Sequence, residues 1–267
     1  MKINWIKWKL MLMTLPITLV VLLIKIVIVQ GFHFDGLIDF PEIALVITGG
    51  IFLIGFMLAG TLSDYKESER IPSEMACTIE SIEDTVTLAH QFKGDFDLAD
   101  QKRKIHEVTA SIIEYFAHRE SEETVYKKIE ELTSVALVAE NTRMGSTTSW
   151  VKREQTNLRK LFSRATVIKR THFISTGYAF LEVLTFFIVG LLLITRFDNF
   201  IISIILVSFI TQIFVYMLSL IKDIDHPFEY PTDGKVRAAD IDLFPLIEYY
   251  QRTTGMRKLF ADQNIEV

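Results

Sequence analysis

Residue types that could carry out chemistry are scattered along this sequence rather than grouped. The single cysteine, Cys77, has no partner for a disulfide bond, and we expect it to be a small buried residue. No glycine-rich loop leads into a Lys-Ser or Lys-Thr pair, as a phosphate-binding loop would. The histidines show no paired spacing for a shared metal ion: His33, His90, His106, His118, His172 and His226. We therefore expect no enzyme, no cofactor, no metal and no nucleic-acid partner.

Three polar residues interrupt otherwise apolar runs. An acid at the depth of Glu182 costs roughly 2.5–3.5 kcal/mol on membrane-insertion scales. Glu182 lies 13 residues before Thr195 and Gln212 lies 12 residues after Phe200, so the two have similar depth on either side of a turn. A structural hydrogen bond between them and a role in a pore, in proton transfer or in ligand binding are both open. Lys25 is nearer the outer surface and is expected to extend towards it.

The elements that position these residues are four predicted transmembrane helices. Half of the 267 residues are hydrophobic, and they are concentrated in long runs. A membrane span needs roughly 20 such residues. The N-terminal run lacks a small-residue cleavage site and continues past Lys25, so it is predicted to be a retained span rather than a signal peptide. The sequence predicts an all-α, multi-pass membrane protein with spans at about 10–30, 43–63, 173–195 and 200–221.

Basic residues predict the orientation of these spans. Lys2, Lys7 and Lys9 precede the first span, whereas the loop Gly31–Glu42 contains no Lys or Arg. From Val151 to His172 there are seven basic residues and one acid, just before the third span. The positive-inside rule then places both termini in the cytoplasm, together with the segment 64–172 and the tail 222–267. We expect the basic block to set this topology and to lie against anionic headgroups.

The segment between the second and third spans is predicted to be helical. Its apolar residues recur at intervals of three and four, so each helix has one narrow apolar seam that must be buried against other helices or neighbouring subunits. The seams are Met75, Ile79, Ile82, Val86 and Ala89; Ile105, Val108, Ile112 and Phe116; Val125, Ile129, Leu132, Val135 and Val138; and Leu158, Leu161, Phe162, Ala165 and Ile168. Asp97 and Ser121 are predicted N-caps.

The second span has a face of small residues and a pair of aromatic ones. Gly55, Ala59 and Ser63 are four apart, which allows another helix to approach closely. Phe52 and Phe56 are also four apart and project from one side of the helix. Around the axis of an oligomer they would form an apolar constriction that gates by dewetting. The alternative is that they face lipid or a neighbouring helix.

Two stretches carry a resemblance to a known family. They are "GFMLAGTLSDYKESERIPSE", which ends the second span, and "DIDHPFEYP", which follows the last span. With the arrangement of the spans, they resemble the bestrophin-like family of bacterial membrane proteins, distant relatives of the bestrophin anion channels. The resemblance implies a homopentameric chloride-type ion channel in the bacterial inner membrane, with the lipid bilayer and inorganic ions as further partners. It also implies a pore lined by the second span, at Gly49, Phe52, Phe56, Ala59, Gly60 and Ser63.

The acids after the last span are weak metal candidates. In true bestrophins an acidic run follows Pro-Phe and helps to bind calcium, whereas here "EYPTDGK" follows Pro227-Phe228. The remaining candidates are Asp223, Asp225, Glu229 and Asp233, which also fit a solvated turn. The tail beyond them, with Phe244, Leu246, Ile247 and Tyr250, is expected to dock on the cytoplasmic helices.

Two other functions remain open from the sequence. A proton-conducting stator-type subunit shares the plan of two spans, a cytoplasmic block and two spans, and Glu182 would then be its proton-linked residue. Its characteristic prolines are missing, since Phe173–Ile221 contains none. A non-conducting membrane scaffold or sensor would instead use the helical seams to bind a partner.

Overall fold

The computed structural model describes residues 5–34, 36–93, 95–140, 147–171, 175–230 and 239–255. Its helices are α1 (Trp5–Ile26, followed by a π-helical turn, Val27–Gly31), α2 (Phe40–Lys93), α3 (Leu98–Phe116), α4 (Glu122–Glu140), α5 (Thr147–Arg170), α6 (Ser175–Ile194), α7 (Phe200–Ile224) and α8 (Phe244–Thr254). Two-residue strands, β1 (Ile38–Asp39) and β2 (Thr195–Arg196), pair in parallel. In the described part of the chain, four helices are long and apolar enough to cross a membrane: α1, α2, α6 and α7. The predicted all-α membrane fold with four spans is confirmed.

The described residues divide into two compact units. Unit 1 contains α1, α2 up to Tyr65, α6, and α7 with the two residues that follow it, together with Ala239. Unit 2 contains α2 from Lys66, then α3, α4 and α5, and the residues after Pro227 and after Asp240 that include α8. The boundary in α2 falls where the apolar run of its sequence gives way to charged residues.

The core of unit 1 brings together residues of α1, α2, α6 and α7. Ile47 and Ile54 of α2 are buried in one cluster with Ile188 of α6 and Phe214 of α7. At Gly50 the helices come so close that a Cβ atom would lie 2.6 Å from Ile188 Cδ1 and 2.9 Å from Phe214 Cε1. Only glycine fits this contact without displacement of its neighbours.

The pairing of β1 with β2 holds the segment before α2 against the end of α6. Ile38 pairs with Thr195, and Leu37 N donates to Ile194 O at 2.9 Å. Gly36 makes the approach with a φ of +108°, and an added Cβ would lie 2.6 Å from Arg196 N. Glycine is required here by both the backbone conformation and the lack of space.

Unit 2 is built on the predicted apolar seams. Met75, Ile82 and Val86 of α2 are fully buried, as are most of the seam residues of α3, α4 and α5. Asp97 caps α3 by accepting from Ala99 N at 2.9 Å, as predicted. Thr124 N likewise donates to Ser121 Oγ, which confirms the second cap. Val138, Leu161 and Ile168 are only half-buried.

Two expectations for unit 2 need correction. Cys77 was expected to be buried, but it is exposed because it lies on the side of α2 opposite the seam. The predicted docking of the tail is confirmed for Leu246 and Tyr250, which are buried in α8, whereas Phe244 is exposed. Residue Tyr249, which the sequence did not single out, is 2% exposed.

Candidate functional site

The membrane part of α2 has one packed face and one face whose side chains are exposed. The packed face repeats at intervals of three or four through Ile43, Ile47, Gly50 and Ile54. It ends at Thr61, which is 1% exposed and donates to carbonyl oxygens of its own helix. The packed face holds α2 in unit 1 and therefore determines which residues point away from the unit.

The opposite face carries the predicted pore-lining residues. Phe52 and Phe56 are 72% and 71% exposed. Gly49, Ala59 and Ser63 are also exposed, and a Cβ atom at Gly49 would meet nothing within 4 Å. Gly60 is half-buried and lies at the edge of the face. The structure thus brings these residues together on one apolar face, which is open to lipid, to another subunit or to a conduit.

Lys25 is the first polar residue whose environment differs from the prediction. It does not extend to the outer surface, because the residue is 2% exposed. Its Nζ donates to the carbonyl oxygens of Leu193 at 2.9 Å and Thr195 at 2.8 Å, and to that of Leu192 at 3.3 Å. These carbonyls end α6, where the helix dipole favours a positive charge. Lys25 therefore caps α6.

The hydrogen bond between Glu182 and Gln212, one of the two possibilities that the sequence leaves open, is not present in the structure. Gln212 binds α1 instead: it accepts from Thr18 Oγ1 at 2.5 Å, and its Nε2 donates to Thr14 Oγ1 at 2.8 Å. Glu182 accepts a short hydrogen bond from Lys222 Nζ, and both side chains are about half exposed. Similar depth does not bring two side chains together when they lie on different faces of their helices.

The acids after the last span form no metal centre that the structure shows. Among the described residues, no group of three His, Cys, Asp or Glu residues is close enough to hold an ion. Asp223, Asp225 and Glu229 belong to that part of the chain, whereas Asp233 lies outside the described residues. A calcium clasp therefore gains no support.

The Pro-Phe motif instead anchors the chain in unit 2. Phe228 is fully buried, with its ring centroid 5.3 Å from that of Phe116. Ile241 N donates to Pro227 O at 2.9 Å, and Tyr230 Oη donates to Ile241 O at 2.6 Å. The motif thus joins the segment after α7 to the segment before α8.

The sequence pattern did not predict the buried polar cluster around Glu83. Glu83 lies on α2, well beyond its apolar part, and is 7% exposed. It accepts from Lys102 Nζ at 3.0 Å and from the Tyr249 hydroxyl, and His106 Nε2 lies 3.3 Å away. Burial alone would raise the pKa of Glu83, but the hydrogen bonds from His106, Tyr249 and Lys102 lower it to about 2. The sequence signal for this cluster is an acidic residue directly after Ile82 of the apolar seam of α2.

The pKa of Tyr249 moves in the opposite direction. Burial raises the pKa of its hydroxyl, and the hydrogen bond to the Glu83 carboxylate raises it further. The hydroxyl therefore stays protonated and donates to Glu83. Arg252 of α8 adds an ion pair with Glu80 of α2, so two polar contacts fasten α8 to this helix.

Comparison with known proteins gives matches in structure alone. No protein-family model matches the chain, and no curated protein matches its sequence. A crystal structure of a point mutant of a bacterial bestrophin homolog from Klebsiella pneumoniae superposes with a TM-score of 0.68 at 12% identity, covering 90% of this chain and 98% of that one. Another structure of that homolog gives 0.63 at 14% identity, covering 92% and 98%.

A third structure, described only as a membrane protein, also superposes. Its TM-score is 0.70 at 13% identity, covering 92% of this chain and 99% of that one. The likeness thus extends over nearly the whole of each chain, although the sequences have diverged widely. The chain therefore has the all-α membrane fold of the bacterial bestrophin homologs, as its sequence predicted.

Proposed function

We propose that the chain is one subunit of an oligomeric ion channel whose conduit is lined by the exposed face of α2. The observation that carries this proposal is the division of α2 into a packed face and an exposed apolar face. Small residues on the exposed face allow copies of the helix to approach one another. The shared fold supports the same conclusion, because the resemblance to bestrophins implies a homopentamer with the second span at its axis.

The mechanism follows from the two phenylalanines. Phe52 and Phe56 lie one turn apart on the exposed face, so a ring of subunits would present two apolar layers to the conduit. A narrow apolar layer excludes water, and an ion must lose part of its hydration to pass it. These layers would therefore control conduction, while Ala59 and Ser63 would leave a wider passage beyond them.

The proposed permeant ion is an anion such as chloride, and this choice rests on the resemblance. We further propose that the protein lies in the bacterial inner membrane with both termini in the cytoplasm, because the basic residues before the first and third spans favour that orientation. No catalytic role is proposed.

The alternative functions gain less support. In a proton-conducting stator-type subunit Glu182 would be the proton-linked residue, but it is held in an ion pair with Lys222. In a non-conducting scaffold the seams of unit 2 would bind a partner, but these seams are buried within the unit.

The proposal is tested by recording currents from the protein reconstituted in lipid bilayers. The double variant Phe52→Ala, Phe56→Ala removes both apolar layers, and we expect its conductance to rise several-fold because the barrier to hydrated ions falls. A matched control is Phe186→Ala, Phe209→Ala, which truncates two exposed phenylalanines of α6 and α7. Reversal potentials in asymmetric salt would identify the ion.

Two results would contradict the proposal. One is the absence of current from wild type and variant alike. The other is an equal change of conductance in the control variant, which would mean that loss of any exposed aromatic side chain alters the protein.

A further inference from the structure

The helix α5 carries an excess of positive charge. It has seven basic residues and one acid. Several of the basic residues have ion-pair partners: Arg153 with Glu154, Arg164 with Glu67, and Arg170 with Glu122. Arg159 and Lys160 are exposed and have no ion pair or hydrogen bond within the described part of the chain. Among the described residues, these two adjacent cations therefore have no acidic partner.

These two residues lie in a shallow groove on one face of α5. The groove has a volume of about 410 Å³ and is lined by Thr156, Arg159, Lys160, Ser163, Arg164 and Val167. Because these residues follow one another at intervals of three and four, they form a single stripe along the helix. The stripe combines cationic groups and hydroxyls, which bind phosphate oxygens, with one apolar side chain at its end, the 44% exposed Val167.

The apolar end of the groove is the end nearer the membrane along the chain. Val167 lies in the last turn of α5, and α6, a membrane-spanning helix, begins at Ser175. The five-residue step from Arg170 to Ser175 spans at most about 18 Å when fully extended. The groove therefore lies close along the chain to the start of a membrane-spanning helix.

We propose that this groove binds the headgroup of an anionic phospholipid, with its phosphate between Arg159 and Lys160 and the start of its acyl chains along Val167. The chemistry recognised is a phosphate diester with a net negative charge. The exposed Val167 favours a lipid over inorganic phosphate, which has no apolar part. The position next to a membrane-spanning helix favours a lipid over the acidic surface of a second copy.

The proposal is tested on the full-length protein in detergent by native mass spectrometry, with phosphatidylglycerol and phosphatidylcholine as probes. We expect the wild type to retain phosphatidylglycerol preferentially. The double variant Arg159→Gln, Lys160→Gln should bind phosphatidylglycerol roughly tenfold more weakly, since each basic residue near an anionic headgroup contributes a several-fold gain. Inorganic phosphate in excess should not displace the lipid.

The matched control removes the same charge elsewhere in unit 2. Arg103→Gln, Lys127→Gln replaces one arginine and one lysine that are 60% and 68% exposed and lie in ion pairs on α3 and α4. We expect this control to bind phosphatidylglycerol as the wild type does. Circular dichroism on all variants would show that the fold is kept.

Four results would overturn the proposal. The wild type could bind both lipids equally, or both variants could lose phosphatidylglycerol equally, which would indicate a general charge effect. Displacement by inorganic phosphate would identify a site for small anions. Dissociation of an oligomer in the Arg159→Gln, Lys160→Gln variant alone would identify a second copy as the occupant. None of these readouts depends on conduction, so they are separate from the test of the channel.

Discussion

At the scale of single residues, Lys25 is a buried basic side chain of unit 1 that backbone carbonyls hold in place. Its ammonium is compensated by three carbonyl oxygens at the end of α6 and by the ring of Phe197, whose centroid lies 5.4 Å from Nζ. A buried ammonium would be costly without such acceptors. Lys25 thus links α1 to the end of α6 through hydrogen bonds.

Replacing this residue should destabilise unit 1. Lys25→Met keeps the length of the side chain but leaves the carbonyls without a donor, and we expect a loss of about 2 kcal/mol in the free energy of unfolding. Leu23→Met, at an exposed position of the same helix, is the control and should be neutral. Thermal unfolding in detergent gives the measurement, and an unchanged melting temperature for Lys25→Met would refute the capping role.

Glu83 makes the stability of unit 2 depend on pH. Its pKa falls from 4.5 to about 2 in the folded protein, so the folded state binds fewer protons than the unfolded state. The resulting stabilisation, about 3 kcal/mol, is fully present above pH 4.5 and is lost as the pH falls from there towards 2. We expect Glu83→Gln to flatten this dependence.

The measurement is hydrogen exchange of α8 and of α2 beyond Lys66 between pH 6 and pH 3, corrected for the intrinsic exchange rate. Glu123→Gln, at an exposed position of α4, is the control and should leave the slope as in the wild type. An identical slope in the wild type and Glu83→Gln would show that the carboxylate does not have the environment described.

At the scale of elements, α2 is the helix that joins packing to the proposed function. Its neighbouring residues Gly49 and Gly50 lie on different faces: a Cβ atom at Gly50 would collide with Ile188 and Phe214, whereas one at Gly49 meets nothing within 4 Å. Both positions are glycine, so the same substitution at each one tests the two faces of α2 separately.

Gly50→Val should force α2 away from α6 and α7. Overpacking of this kind costs typically 1–3 kcal/mol, which a lower melting temperature in detergent would report. Gly49→Val should leave the stability of the isolated subunit unchanged but alter conductance or assembly, because its side chain would enter the proposed conduit. Equal destabilisation by both variants would contradict the assignment of the faces.

The helices of unit 2 also show how much of the structure the sequence could predict. The seams of unit 2 and the caps at Asp97 and Ser121 follow from local spacing, which is set by the period of the helix, and the structure confirms them. The partners of Lys25, Glu182 and Gln212 do not follow from spacing. Each depends on which face of a helix meets which neighbour, and counting residues from a turn gives depth alone.

At the scale of the whole molecule, the amino-acid pattern predicted the fold more completely than the site. Long apolar runs indicated four helical spans, because membrane helices must satisfy their own backbone. The bestrophin-like fold came from the resemblance carried by the end of the second span and the motif around Phe228. The use of the α2 face could not be predicted, since Phe52 and Phe56 would be exposed on a subunit of a ring as well as on a monomer in lipid. Only the assembled particle distinguishes these two cases.

The most direct test of the central claim is therefore an image of the purified protein in lipid nanodiscs, viewed along its symmetry axis by electron cryo-microscopy. We expect a ring of five copies with α2 innermost and with Phe52 and Phe56 pointing at an open axis. A monomer, another helix at the centre, or lipid density packed along these two rings would contradict it.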